Sequence, residues 1–157
     1  MFQKYLLIFL VSMVPLIELR GSIIMAVGMD LDYFTALTVS VIGNMLPVPF
    51  IYFFARKVLI WGADKKYIGK FFRFFLEKGE RAGQKLVKAT GRGGLFVALL
   101  LFVGIPLPGT GAWTGALGAS FLNMGFKSTV ASVSLGVILA GIIMGLTSMG
   151  VFSVIGF

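Results

Sequence analysis

Residues 15–21 read Pro-Leu-Ile-Glu-Leu-Arg-Gly, and residues 104–111 read Gly-Ile-Pro-Leu-Pro-Gly-Thr-Gly. Each run cuts an apolar stretch that would otherwise pass for a transmembrane helix. Proline removes a backbone donor and glycine releases the backbone, so neither run continues as a regular helix. Irregular backbone facing lipid leaves peptide groups unsatisfied, so such breaks persist only where protein or water covers them. Discontinuous membrane segments of this kind are the usual sequence pointer to a transport site.

Composition sets the class around these two breaks. Hydrophobic residues make up 58% of the 157 and charged residues 13%, against roughly 25% charged in an ordinary soluble domain. Three uncharged stretches, 33–55, 93–126 and 128–157, each exceed the ~18 apolar residues that argue for a membrane span. The expectation is a multi-pass protein of the cell membrane, all-α. The first 14 residues hold a lone Lys4 and an apolar run, but no small-x-small cleavage site follows, so the segment is expected to stay. The chain has no Cys and no His. That removes zinc sites, cysteine nucleophiles and Ser-His triads. No enzyme, no metal and no cofactor is expected.

The net charge of +8 is concentrated in one place. Between Arg56 and Arg92 lie eleven Lys or Arg and three acids, and the rest of the chain sums to zero. Nucleic-acid binding is therefore a poor reading. A basic segment between membrane segments is the usual mark of a cytoplasmic loop. Within residues 61–92, Ile68, Phe71, Phe72, Phe75, Ala82 and Leu86 recur at helical spacing among lysines and arginines. This pattern predicts a basic amphipathic helix in the headgroup region, attracted by anionic lipid. Gly79 and Gly83 weaken its second half and mark a candidate bend.

The two apolar pieces flanking the first break, 5–17 and 21–29, reach about 20 Å and 13 Å as helices, short of a ~30 Å hydrocarbon core. Two half-helices folded back as a re-entrant hairpin fit those lengths, followed by one full span at Tyr33–Ala55. The second half repeats the plan. Residues 93–126 are too long for one crossing and are split near the middle by Pro106, Pro108, Gly109 and Gly111. A final span follows from about Ser128 to Met149. Sliding the chain by 93 residues sets Pro15 on Pro108, Ala26 on Ala119, Asp30 on Asn123 and Gly43 on Gly136. One full crossing separates the hairpins, which makes the expected repeat an inverted one. The organisation is a single membrane domain: repeat 1 over 1–60, the amphipathic linker over 61–92, and repeat 2 over 93–157.

Glu18 and Arg20 are the leading site candidates, because an ionisable residue at membrane depth is a functional hypothesis by default. Glu18 would titrate and couple proton movement to cargo, while Arg20 would hold an anionic group or neutralise Glu18. The plainer alternative is an ion pair that pins the tip, with the two side chains on one side of an extended break. Facing them, Thr110 supplies a hydroxyl and Trp113 an amphipathic surface. The amides near Gly111–Trp113 would point a helix N-terminus at an anion, or the turn glycines simply close a hairpin. Asn44 interrupts the span 33–55 together with Pro47 and Pro49, and is a candidate to bond a hairpin tip. Pro15, Gly21, Pro106, Pro108 and Gly109 are the hairpin breaks. Ser132, Gly136 and Ala140, and separately Gly141 and Gly145, form small-residue stripes that suit helix packing.

Pro-Leu-Ile-Glu-Leu-Arg-Gly, Gly-Asn-Met-Leu-Pro-Val-Pro over 43–49 and Ile-Pro-Leu-Pro-Gly-Thr-Gly-Ala-Trp over 105–113 resemble the putative small multidrug export protein family, over nearly the whole chain. The second motif is also distantly similar to the DedA/VTT membrane proteins. That likeness implies two facing re-entrant hairpins and movement of polyprenyl-phosphate or phospholipid. Glu18 would match their acidic residue, and Pro108-Gly109 with Met124 their second motif. Their arginine there has no counterpart among Thr110, Gly111 and Ala112, although Arg20 could replace its charge from the opposite side. The reading is an ion-coupled exporter of a small amphipathic or anionic cargo. The alternatives are a DedA-like flippase or scramblase and a non-transporting membrane scaffold. Expected partners are membrane lipids and a small amphipathic molecule or lipid-linked anion, with a homo-oligomer left open.

Overall fold

Val14 precedes Pro15 and Ile105 precedes Pro106, and a residue before proline is pushed out of the helical region. Both are extended, with ψ of 128° and 117°. In the computed structural model, which describes residues 1–90, 94–107 and 109–156, each ends a short apolar helix and starts a turn. Helix α1 (Phe2–Met13) turns back into α2 (Glu18–Gly28), and α7 (Leu95–Gly104) into α8 (Ala112–Phe121). The described residues are all helix and connection, without a strand. Left-handed backbone marks both turns, at Leu16 (φ 75°) and Glu18 (φ 52°) in the first and Gly109 (φ 80°) in the second.

The returning helices end alike. At the end of α2, Leu31 N–H donates to Ala26 O and Asp30 N–H to Val27 O; at the end of α8, Met124 N–H donates to Ala119 O and Asn123 N–H to Ser120 O. This is the Schellman pattern, with Asp30 (φ 57°) and Asn123 (φ 54°) in the left-handed position. These two residue types tolerate that conformation better than other non-glycines. Helices α3 (Tyr33–Met45) and α9 (Phe126–Ile155) follow directly. The starts of α1, α2 and α3 thus recur 93 or 94 residues later as those of α7, α8 and α9.

Among the described residues two helices are long and apolar enough to cross a membrane, Tyr33–Ala55 and Phe126–Ile155. Their outward side chains, including Phe34, Ile42, Phe50, Leu135 and Leu146, remain exposed, an apolar exterior that water would not favour. The first is not regular. Pro47 and Pro49 withhold two donors, and the chain passes through a single turn, α4 (Val48–Phe50), and a π-helical stretch (Ile51–Ala55) before α5 (Arg56–Ala63). The last helix runs beyond the expected Ser128–Met149 at both ends. Its small residues meet neighbours: a Cβ on Gly136 would lie 2.7 Å from Leu100 O, and one on Gly141 2.3 Å from Leu37. Ser132 donates to Phe96 O at 2.6 Å. Leu19, Ile23, Leu99, Val103, Ala116, Val133 and Val137 form the main core between the helix pairs.

The basic segment comprises the end of α5, a connection and α6 (Gly69–Thr90), and the expected bend at its glycines is not formed. Helix α6 carries Gly79 and Gly83 without a break. Their role is close approach: a Cβ on Gly79 would sit 2.5 Å from the Leu117 side chain, and one on Gly83 3.4 Å from Gly118 O. The second half of α6 therefore lies against α8. Asp32 caps α3, accepting from Thr35 N at 2.9 Å and Thr35 Oγ1 at 2.6 Å. These bonds hold its carboxyl below the ordinary carboxylate range. Pro108 and the side chains of Phe75, Ala82 and Leu86 lie outside the described residues.

Candidate functional site

The two turns are joined through their side chains and amides. Glu18 is 5% exposed. One carboxylate oxygen accepts from Ala112 N–H at 3.0 Å and the other from Trp113 N–H at 3.1 Å. These amides open α8, where no earlier turn can supply acceptors and the helix dipole favours negative charge. The first-turn amides expected to hold an anion thus hold one from the chain itself. Gly111 makes this geometry feasible: a Cβ there would fall 2.2 Å from Glu18 Oε2.

Arg20 reaches the second turn as well. One guanidinium nitrogen donates to Leu107 O and another to Thr110 Oγ1, both at 2.8 Å. Thr110 Oγ1 in turn lies within bonding distance of Ile105 O and Leu107 O. In the reverse direction, Trp113 Nε1–H donates to Met13 O at 3.1 Å, closing the end of α1. Each turn therefore has a side chain from the other on its exposed carbonyls.

The ion pair considered for Glu18 and Arg20 is not formed. Among the described residues the pair within 4 Å is Glu77 with Arg81, on the surface of α6. Glu18 opens α2 in left-handed backbone and Arg20 stands in its first turn, neither in an extended break, and each side chain is engaged by its own partners, Glu18 by Ala112 and Trp113 and Arg20 by Leu107 and Thr110. Gly21 is likewise inside α2, so the first break runs from Val14 to Ile17 and includes Pro15. Pro106 and Gly109 do lie in the second turn.

Asn44 is 2% exposed and lines a cavity of about 10 Å³ with Glu18, Leu19, Arg20 and Gly111. Its Oδ1 bonds no described residue, so that oxygen does not make the expected bond to a turn. A larger, apolar groove of about 240 Å³ lies alongside, bordered by Pro15, Ile51, Leu59, Phe72, Trp113 and Leu117. Lys78 of α6 stands at its edge, with Cε 3.4 Å from the Cβ position of Gly109. Sequence reasoning left Lys78 inside an undifferentiated charge run. The available signal was Gly79 and Gly83, whose spacing of four marks the face of α6 that meets another helix.

Apolar helices facing outward around a buried polar junction are the build of an integral membrane protein. The chain belongs to the family described as "Putative small multi-drug export protein", whose model matches residues 18–143. That span opens on Glu18, just after the first turn, and takes in the second. No curated protein and no solved structure matches the chain.

Proposed function

We propose that this protein is an ion-coupled, multi-pass exporter of a small amphipathic or anionic cargo, built as an inverted repeat. In this reading α1–α2 and α7–α8 are re-entrant hairpins entering from opposite faces, and α3 and α9 are full spans. Residues 1–60 and 93–157 are the two repeats of one membrane domain, and 61–92 is a cytoplasmic linker. The observation that carries the reading is the polar junction: a buried carboxylate and a half-buried guanidinium from the start of α2 bound to the second turn and the first amides of α8, beside an apolar groove. Amides and a carbonyl at the second break, and the carbonyl that ends α1, find partners across the junction, which is how irregular backbone survives at membrane depth. Recurrence of helix starts and Schellman ends at 93 or 94 residues supports the repeat.

Glu18 is the coupling residue of this proposal. A carboxylate accepts from both amides with full charge assistance, and protonation removes that charge. Proton binding would loosen the junction and let the turns part beside the groove. Substrate-dependent pH change in proteoliposomes tests this directly. Cargo movement without proton movement would overturn the coupling, and a silent Glu18→Gln would favour a scaffold. Topology gives a separate test, through cysteines at Gln3 and Phe157 labelled by an impermeant reagent in intact cells. Both should label, with the basic linker inside; protection of both would remove the hairpins.

A second reading, DedA-like translocation of lipid or polyprenyl-phosphate, draws support from Arg20. Its guanidinium stands at Thr110, in the turn where that family has an arginine of its own. Lipid movement in liposomes without added ions or soluble cargo would favour it.

A further inference from the structure

The groove beside the junction has a sign. Its walls are apolar, from Ile51, Leu59, Phe72 and Leu117, and Trp113 forms part of the end nearest the second turn. The charged group on its lining is Lys78. The Lys78 ammonium lies 3.7 Å from the Cβ position of Gly109 and 5.5 Å from the Phe74 ring centroid. Among the described residues no carboxylate comes within 4 Å of it. Glu18 acts on it only through space, and both Glu18 oxygens are already engaged by Ala112 and Trp113.

We infer that the groove binds a small amphipathic anion, with its apolar body against Ile51, Leu59 and Phe72 and its charged head on Lys78. The inference rests on the export reading and names the class of cargo. A lipophilic cation of equal size would gain the same apolar contact but would bring like charge to Lys78, with no free carboxylate to receive it. An anion gains a charge-assisted hydrogen bond in a low-dielectric setting, where such bonds are strongest. Size narrows the class further. About 240 Å³ falls at or below the lower end of ordinary small-molecule sites, so the enclosed part of the groove suits a one- or two-ring amphiphile rather than both chains of a phospholipid.

A matched pair of probes tests this by calorimetry on the full-length protein in phosphatidylcholine nanodiscs: naphthalene-2-sulfonate, and the same ring carrying a trimethylammonium group. The sulfonate should bind saturably at one site per chain and the cation should not. Lys78→Gln should weaken sulfonate binding about tenfold or more, Lys78→Arg should retain it, and Lys78→Glu should reverse the preference. An unchanged thermal midpoint in Lys78→Gln excludes loss of the α6–α8 contact as the cause. Equal binding of both probes, no saturable binding, or indifference to Lys78→Gln would overturn the inference. Loss of sulfonate binding when phosphatidylglycerol is added to the disc would assign the site to a lipid headgroup and overturn the small-molecule occupant. Charge-selective binding without transport in proteoliposomes would defeat the export reading and leave this site standing.

Discussion

The two turns share a backbone plan and differ in what they present. At the offset of 93 residues, Arg20 falls on Trp113, and each reaches across to a carbonyl of the opposing half, Leu107 O in the second turn and Met13 O at the end of α1 respectively. Glu18 falls on Gly111, a side chain against none. The first turn supplies charge; the second supplies amides, carbonyls and room. The helix ends, by contrast, match bond for bond at Asp30 and Asn123. Where the halves only need to turn the chain they stay alike, and where they meet they diverge into complementary roles.

The strongest way to break that complement is to give the second turn a side chain. Gly111→Ala places a methyl 2.2 Å from Glu18 Oε2. It is expected to cost about 1–3 kcal/mol, as overpacking does, and to abolish transport; thermal unfolding and proteoliposome flux read both. Glu18→Gln comes next. Its amide nitrogen must face one of two backbone donors, so a charge-assisted bond worth about 1.5–3 kcal/mol is lost. On the proposed function, coupled transport should vanish while the protein still purifies folded, and an unchanged pH profile would make Glu18 structural.

Arg20 tests whether the first turn acts by charge or by shape. Lysine keeps the charge but cannot span Leu107 O and Thr110 Oγ1 with two fixed donors. Arg20→Lys should therefore impair flux nearly as much as Arg20→Ala; full activity in the lysine variant would reduce Arg20 to a diffuse charge. Exchanging turn residues probes the backbone plan itself. Gly109→Ala meets a left-handed backbone and should destabilise by about 1–2 kcal/mol. Leu16→Gly removes a comparable strain and adds unfolded-state freedom, for a net change within about 0.5 kcal/mol.

The smallest effect concerns the starts of the long helices. Asp32 caps α3 through Thr35, whereas Gly125, its counterpart before α9, has no side chain to offer. Asp32→Ala should speed amide exchange at residues 33–35 without touching transport. Acid should imitate it. The Asp32 carboxyl is held below its ordinary value, so its contribution is present above the usual carboxylate range and fades as pH falls through the lowered value. Protection at the Thr35 amide, corrected for the intrinsic pH dependence of exchange, that stays constant as pH falls would remove the cap.

Much of the helical plan was legible because its signals are local. Pro15 and Pro106 each follow a residue they force to be extended, and the uncharged runs are long. The Asp30 and Asn123 ends also follow from residue type, once the offset is noticed. The junction was legible only as a set of candidates. Glu18 meets amides 94 and 95 residues away, and nothing near it in the chain reveals that. Its position within α2 rather than in a break depends on where the turn closes. Lys78 was hidden because a charge reads as topology until the fold shows which wall it stands on.

Gly111 has a consequence for how such a junction could arise. Suppose both counterpart positions had the same residue, as in two identical half-length chains paired together. Two glutamates would compete for one space, and two glycines would leave the first amides of both returning helices without an anion. An arrangement with one of each requires the halves to be distinguishable. In the proposed repeat, joining them in a single polypeptide makes them so, since each half can then mutate without altering the other.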